Sequence, residues 1–261
     1  MKRILFGIAA VAALLGTPVL AADMPLKMPV AAPPAFTWTG FYAGLNAGVG
    51  WNDPTGDIFC VTPPPASVPS GAGCSAPING TLKPFGGLFG GQAGFNMQTG
   101  MFVWGIETDL QWSGINDSVH KAVACCLPAA APGQGDATTS QSLDWFGTVR
   151  GRLGVAVWDR GLLYGTGGLI YGHESVSEGA NFNVVGLVFG PTTLSSTRTG
   201  WTAGVGFEYA LLNNITAKLE GLFYDMGSQT LVALNPTNAF TENGTFNYKG
   251  GLVRAGLNVK F

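Results

Sequence analysis

Two sets of residues in this chain have side chains suited to chemistry. The first is the triplet His173-Glu174-Ser175. A base, a carboxylate and a hydroxyl are the groups that acyl transfer requires: the imidazole takes the hydroxyl proton and the carboxylate orients the imidazole. On a strand, however, His173 and Ser175 share one face and Glu174 takes the other, so the carboxylate points away from the pair it would orient. The competing reading is a polar start to a loop. The second set is eight charges: Glu107, Asp109, Arg150, Arg152, Glu208, Lys218, Glu220 and Arg254. Four acids and four bases have mutual pairing as their natural chemistry.

Other site chemistries find little support. His120 and His173 are the only histidines, and no His, Met or Tyr partner stands at a spacing that suggests haem ligation. Cys60, Cys74, Cys125 and Cys126 show no knuckle spacing for a metal. No Walker-type glycine loop and no G-x-G-x-x-G turn is present. No cofactor and no metal is expected.

The elements that must position these charges are read from composition and period. Of 261 residues, 40 are glycine and only 11% are charged, against about 25% charged in ordinary domains. Residues 1–21 combine Lys2 and Arg3, an apolar run from Ile4 to Leu15 and small residues ending at Ala21. That is the plan of a secretory signal peptide, too short in its apolar core to span a bilayer. Its removal leaves 11 bases against 15 acids, the wrong sign for nucleic acid. Residues 22–37 form a proline-rich periplasmic linker, and 38–261 the ordered domain. Export permits disulfides, and four cysteines allow three pairings.

From Gly40 onward, apolar residues recur at every second position. In the first segment Phe41, Leu45, Val49 and Trp51 oppose Tyr42, Asn46 and Asn52. Similar alternation marks 85–98, 102–112, 143–157, 162–174, 201–211, 215–223 and the last eleven residues, giving eight strands. In 143–157, Leu143, Trp145 and Val149 are read on one face against Thr148, Arg150 and Arg152. Tight turns at Thr99-Gly100, Asp159-Arg160-Gly161 and Leu212-Asn213-Asn214 alternate with long polar connections at about 53–84, 113–142, 175–198 and 228–247. An even strand number with short and long connections in alternation is the plan of an outer-membrane barrel. The fold expected is all-β: an eight-stranded antiparallel transmembrane β-barrel with short periplasmic turns and long extracellular loops.

Tryptophan placement agrees with a bilayer. Trp51, Trp112, Trp145 and Trp201 fall at the loop ends of the strands, Trp104 and Trp158 at the turn ends, as an aromatic girdle at both interfaces requires. Trp38, with Phe36, is read at the periplasmic rim. The eight charges then point inward. Eight strands leave a lumen only wide enough for side chains, so the charges are expected to form a paired plug, an unpaired buried charge being costly.

The C-terminal strand "GLVRAGLNVKF" ends on Phe261. A terminal Phe after an alternating strand resembles the signal read by the barrel-assembly machinery of Gram-negative bacteria. The opening "WTGFYAGLNAGVGW", preceded by "AADMPLKMP", resembles the start of the α-proteobacterial outer-membrane immunogenic proteins, the small "porin family" barrel surface antigens. The resemblance covers essentially the whole chain. It implies an integral protein of the cell outer membrane with a structural and surface-interaction role, embedded in outer-membrane lipid and lipopolysaccharide. Some relatives are described as haem-binding and others named porins, which makes a narrow channel for ions or small solutes the alternative. The His173-x-Ser175 pair resembles that of outer-membrane lipid A deacylases, but no other motif of theirs is present, and the expectation is a non-enzyme.

The mature protein should begin at Ala22 by N-terminal mass spectrometry. Non-reducing peptide mapping should recover Cys60 joined to Cys74. That link would close the first external loop and stabilise the fold by about 3 kcal/mol; free thiols at both positions would exclude it.

Overall fold

Hydrocarbon offers no partner for a backbone N–H or C=O, so strands can cross it only in a sheet without edges. The computed structural model of the protein has that form. It describes residues 36–53, 57–61, 75–77, 82–125, 133–182, 187–234 and 241–261. The signal peptide and most of the linker lie outside the described residues, as do Cys74 and Cys126; of Cys60 and Cys125 the backbone alone is described.

Ten strands follow in chain order: β1 Gly40–Asn52, β2 Asp57–Val61, β3 Ser75–Pro77, β4 Phe85–Thr99, β5 Phe102–Cys125, β6 Gly133–Val157, β7 Gly161–Phe182, β8 Leu187–Ala210, β9 Ile215–Leu234 and β10 Thr241–Lys260. Eight of them form the barrel, in the order β1-β4-β5-β6-β7-β8-β9-β10, and β1 pairs antiparallel with β10 to close it. The short β2 and β3 form a ribbon that attaches to β10 at Thr241–Gly244, on the external side.

Alternation decides which way each side chain faces. Phe41, Leu45 and Val49 lie on the outer surface of β1, with Leu45 74% exposed, while Tyr42 and Asn46 are buried inside. The same division holds along β7, whose weaker pattern turns Leu163 and Leu169 outward and Tyr164, Thr166 and Ile170 inward. The periplasmic turns are tight. Thr99 pairs with Phe102, so the first turn is Gly100-Met101, with Gly100 at φ +62°. Val157 pairs with Gly161, and exposed Trp158 takes the left-handed region at φ +50°. Residues 211–214 connect β8 and β9.

Three expectations need correction. The long external connections are largely hairpin extensions of the barrel: β5 and β6 remain paired out to Cys125↔Gly133, β7 and β8 out to Phe182↔Leu187, and β9 and β10 out to Leu234↔Thr241. Beyond the lipid no apolar face is selected, so Ser, Thr and Gly can fill a strand without alternation. The strands consequently run on past Trp112, Trp145 and Trp201 instead of ending there.

The second correction concerns Leu143, which is inside the barrel and only 6% exposed. The register shifts between Leu143 and Trp145; this bulge at Asp144 reverses the in-out phase, so Leu143 faces the lumen while Trp145 remains outside. The third concerns Trp38. It is buried against Val103, Leu162, Tyr164 and Ala210 in the barrel's periplasmic mouth, its backbone N–H donating to Gln98 Oε1 at 2.8 Å.

Leu45 lies midway along the lipid face of β1. Leu45→Arg should cost about 2–4 kcal/mol, read from urea titration of the protein folded into lipid vesicles, and Asn46→Ser on the inner face should not show this lipid-facing penalty.

Candidate functional site

The lumen gathers the charged residues into one network. Arg150 is its hub. Its Nη2 donates to Glu107 Oε1 at 2.5 Å and Asp109 Oδ2 at 3.0 Å, and its Nη1 to Glu220 Oε1 at 3.0 Å. Arg254 donates from Nη2 to Asp109 Oδ2 at 2.8 Å and Glu220 Oε2 at 2.7 Å. Lys218 Nζ donates to both oxygens of Glu107, at 2.8 and 2.9 Å. Arg152 Nη2 donates to Glu208 Oε2 at 2.6 Å. All eight charged residues identified from the sequence are buried, and each is ion-paired.

Neutral groups complete the network. Arg152 Nη1 donates to the Tyr42 hydroxyl, which donates to Glu107 Oε2 at 2.8 Å. The Tyr164 hydroxyl donates to Glu220 Oε1, and the Arg152 guanidinium lies 3.9 Å from the Tyr164 ring centroid. Thr148 Oγ1 accepts from Arg150 Nε and donates to Asp109. A relay from Asn46 through Gln92 and Asn258 ends on Glu208 Oε1, which Thr216 also reaches. These residues come from β1, β4, β5, β6, β7, β8, β9 and β10, so every barrel strand contributes. Tyr164 fits because the residue facing it is Gly206, where a Cβ would stand 2.3 Å from the ring.

The charged layer lies between two apolar ones. On the periplasmic side Trp38, Val103, Leu162 and Ala210 fill the mouth. On the external side Leu88, Ile115, Leu143, Phe146, Ile170, Leu222, Phe246 and Leu252 pack together with Tyr224 and Tyr248. Sequence reasoning found the charges but not these layers. The inward sequence Phe246-x-Tyr248-x-Gly250-x-Leu252-x-Arg254 was the available signal, with apolar residues on the side usually occupied by polar ones.

Of the six girdle tryptophans, Trp51, Trp104, Trp112, Trp158 and Trp201 are exposed on the outer surface. Trp145 is half-buried and stacks on His173 with ring planes 7° apart. Ser175 Oγ hydrogen-bonds Ser195 Oγ at 3.1 Å, and Glu174 is inside the barrel, so the triplet is split between two faces. His120 sits in β5, not in a loop, bonded through Nδ1 to Thr138 Oγ1. Among the described residues no group of three or more His, Cys, Asp or Glu side chains is arranged to hold a metal ion. Phe261 is exposed, its backbone N–H donating to Phe41 O at 2.9 Å. The Cys60–Cys74 pairing lies outside the described residues.

An apolar belt bounded by tryptophan, closed around paired charges, defines an integral outer-membrane β-barrel. The chain belongs to the outer membrane protein beta-barrel domain family, whose model matches residues 8–261. It is 38% identical over 269 residues, with all of both chains covered, to the 31 kDa outer-membrane immunogenic protein of Brucella melitensis biotype 1. It is 32% identical over 177 residues, 66% of each chain, to the 22 kDa outer membrane protein of Rhizobium leguminosarum bv. viciae. Among solved structures it is similar to Neisserial surface protein A, at 12% identity and a TM-score of 0.36, covering 85% of this chain and 98% of that one. The protein is therefore one of the outer-membrane barrel proteins and resides in the cell outer membrane.

Removing the hub charge takes one cationic partner from each of three acids, leaving Glu107 with Lys218 and both Asp109 and Glu220 with Arg254. Arg150→Met should cost about 3–5 kcal/mol, the range for breaking a buried pair from one side. Arg150→Lys, which keeps the charge but loses the planar fork, should fall between Met and wild type. Urea midpoints of the vesicle-folded proteins give the ranking.

Proposed function

We propose that the protein is a closed barrel with a structural and surface-interactive role: it anchors in the outer membrane, contributes to its integrity, and presents strand-extended hairpins to the exterior. The observation that carries this reading is the cross-barrel charge network with an apolar layer above and below it. A lumen occupied in that way offers ions no continuous aqueous path. Relatives named immunogenic outer-membrane proteins support a role as a surface antigen. Outer-membrane lipid and lipopolysaccharide are its surroundings in this reading, and the barrel-assembly machinery the partner that inserts it through the strand ending in Phe261. The protein acts without catalysis: Glu174, inside the barrel and on the opposite face from His173 and Ser175, and the Ser175 hydroxyl, bonded to Ser195, support that reading.

Purified protein in a planar lipid bilayer should give no steady conductance at any applied voltage short of rupture. Steady, ohmic steps from the wild-type protein would replace this reading with that of a narrow channel for ions or small solutes. Antibodies raised against the folded barrel should bind intact cells; binding only after permeabilisation would remove the surface role.

A further inference from the structure

The external apolar layer contains a polar group that the plug does not use. Glu174 is 1% exposed, yet neither of its carboxyl oxygens has a hydrogen-bond partner. It lines a small cavity together with Asn52, Gln141, Tyr224 and Tyr248. Three of these neighbours have unpartnered oxygens of their own: Asn52 Oδ1, Gln141 Oε1, whose amide Nε2 is unpartnered as well, and the Tyr248 hydroxyl. All three side chains are more than nine-tenths buried. Four residues from four strands thus turn unsatisfied oxygen atoms toward one space. Such groups are costly to bury without a partner, and their convergence indicates an occupant.

The size and charge of the space restrict the occupant. The free volume is about 10 Å³, which is room for one water-sized particle. The set is one carboxyl with neutral carbonyl and hydroxyl oxygens, the hard donors that suit an alkali or alkaline-earth ion. A single negative charge matches a single positive one. Arg198 is the nearby cation, but its guanidinium is committed elsewhere: Nη2 donates to Ser228 O at 2.6 Å and the group lies over the Tyr248 ring at 5.6 Å. Among the described residues neither Glu174 oxygen accepts a hydrogen bond from Arg198. A divalent ion would leave a net positive charge in an apolar layer beside Arg198.

We propose that Glu174, Gln141, Asn52 and Tyr248 form a binding site for one small monovalent cation, of the size of sodium or lithium, in the external layer of the plug. The site lies outside the membrane-spanning segment: Glu174 is one residue beyond His173, which pairs with Trp145 of the outer girdle. The ion joins β1, β6, β7 and β10 where the charged network below does not reach. It competes with a proton for the carboxylate. Burial, opposed in part by Arg198, pushes Glu174 up to about 8. The groups facing it are Arg198 from β8, Tyr224 from β9 and Tyr248 from β10, and Glu178, further along β7, acts on Tyr248. An acid raised on folding holds its proton in the folded barrel and loses it in the unfolded chain. Without a bound ion, stability therefore falls as pH rises from about 4 to about 8, and the cation restores it above that range.

The test is thermal unfolding of the mature protein in detergent micelles at pH 9 and pH 6. Chloride salts of lithium, sodium, caesium and N-methyl-D-glucamine are compared at equal ionic strength. Sodium or lithium should raise the midpoint with saturating concentration dependence at pH 9 and by much less at pH 6. Caesium and N-methyl-D-glucamine should not. In Glu174→Gln the sodium effect should vanish while the midpoint becomes insensitive to pH between 5 and 8. Equal shifts in all four salts, or a sodium effect that survives Glu174→Gln, would overturn the proposal. A wild-type midpoint that depends on pH but not on the cation would also overturn it and assign the cavity to water and a proton. The wild-type size series decides the matter even if Glu174→Gln fails to fold.

Discussion

Eight strands enclose a tube that side chains alone fill, and the charged layer of this one contains four acids and four bases. That constraint governs the rest of the interior. Each of these charges needs partners in a lumen with no room for bulk water, so pairs between neighbouring strands, β5 with β6 and β9 with β10, are joined by pairs that cross the lumen, β5 with β9 and β10, and β6 with β8 and β9. Hydroxyls and amides from the remaining strands take up most of the remaining donors and acceptors. The glycines opposite Tyr42 and Tyr164 follow from the same crowding. At Gly94 and Gly206 an added carbon would stand within 2.5 Å of a tyrosine ring or hydroxyl, and without those rings Glu107 and Glu220 would each lose a donor.

The outside obeys a separate rule. There, apolar side chains are exposed to lipid and the tryptophans mark its two boundaries. Because the two faces of each strand answer to different media, the ordinary logic of a soluble barrel is inverted: the largest exposed side chains are aromatic and aliphatic, and the largest buried ones include Arg150 and Arg254.

Within the membrane the fold was legible from sequence because both media act on every residue and alternation results. Leu45 between Gly44 and Asn46, or Glu107 between Ile106 and Thr108, could be placed without coordinates. The eight charges were legible for the same reason. What was not legible has physical causes. Above the girdle only one medium acts, alternation lapses, and the hairpins of β5–β6 and β7–β8 read as loops. At Asp144 a single bulge reverses the phase, which a period of two cannot anticipate, so Leu143 was placed on the wrong face. Trp38 lies outside any strand, and only its packing shows that it closes the mouth. Glu174 was noticed as part of a triplet, but its isolation inside an apolar layer depends on which side chains surround it.

The network also bears on how the barrel can be built. Glu107 meets Lys218, and Asp109 meets Arg254, only when β5 faces β9 and β10 across a finished ring. A partly formed sheet in lipid would keep neighbour-strand pairs such as Arg150–Glu107 and Arg254–Glu220 but lack the pairs across the lumen, at a cost for each buried charge left short of its partners. Half-built intermediates are therefore penalised until the β1–β10 seam forms. The arrangement favours a closed ring over an open sheet: closure brings the cross-lumen pairs together, and a chain that misregisters loses them.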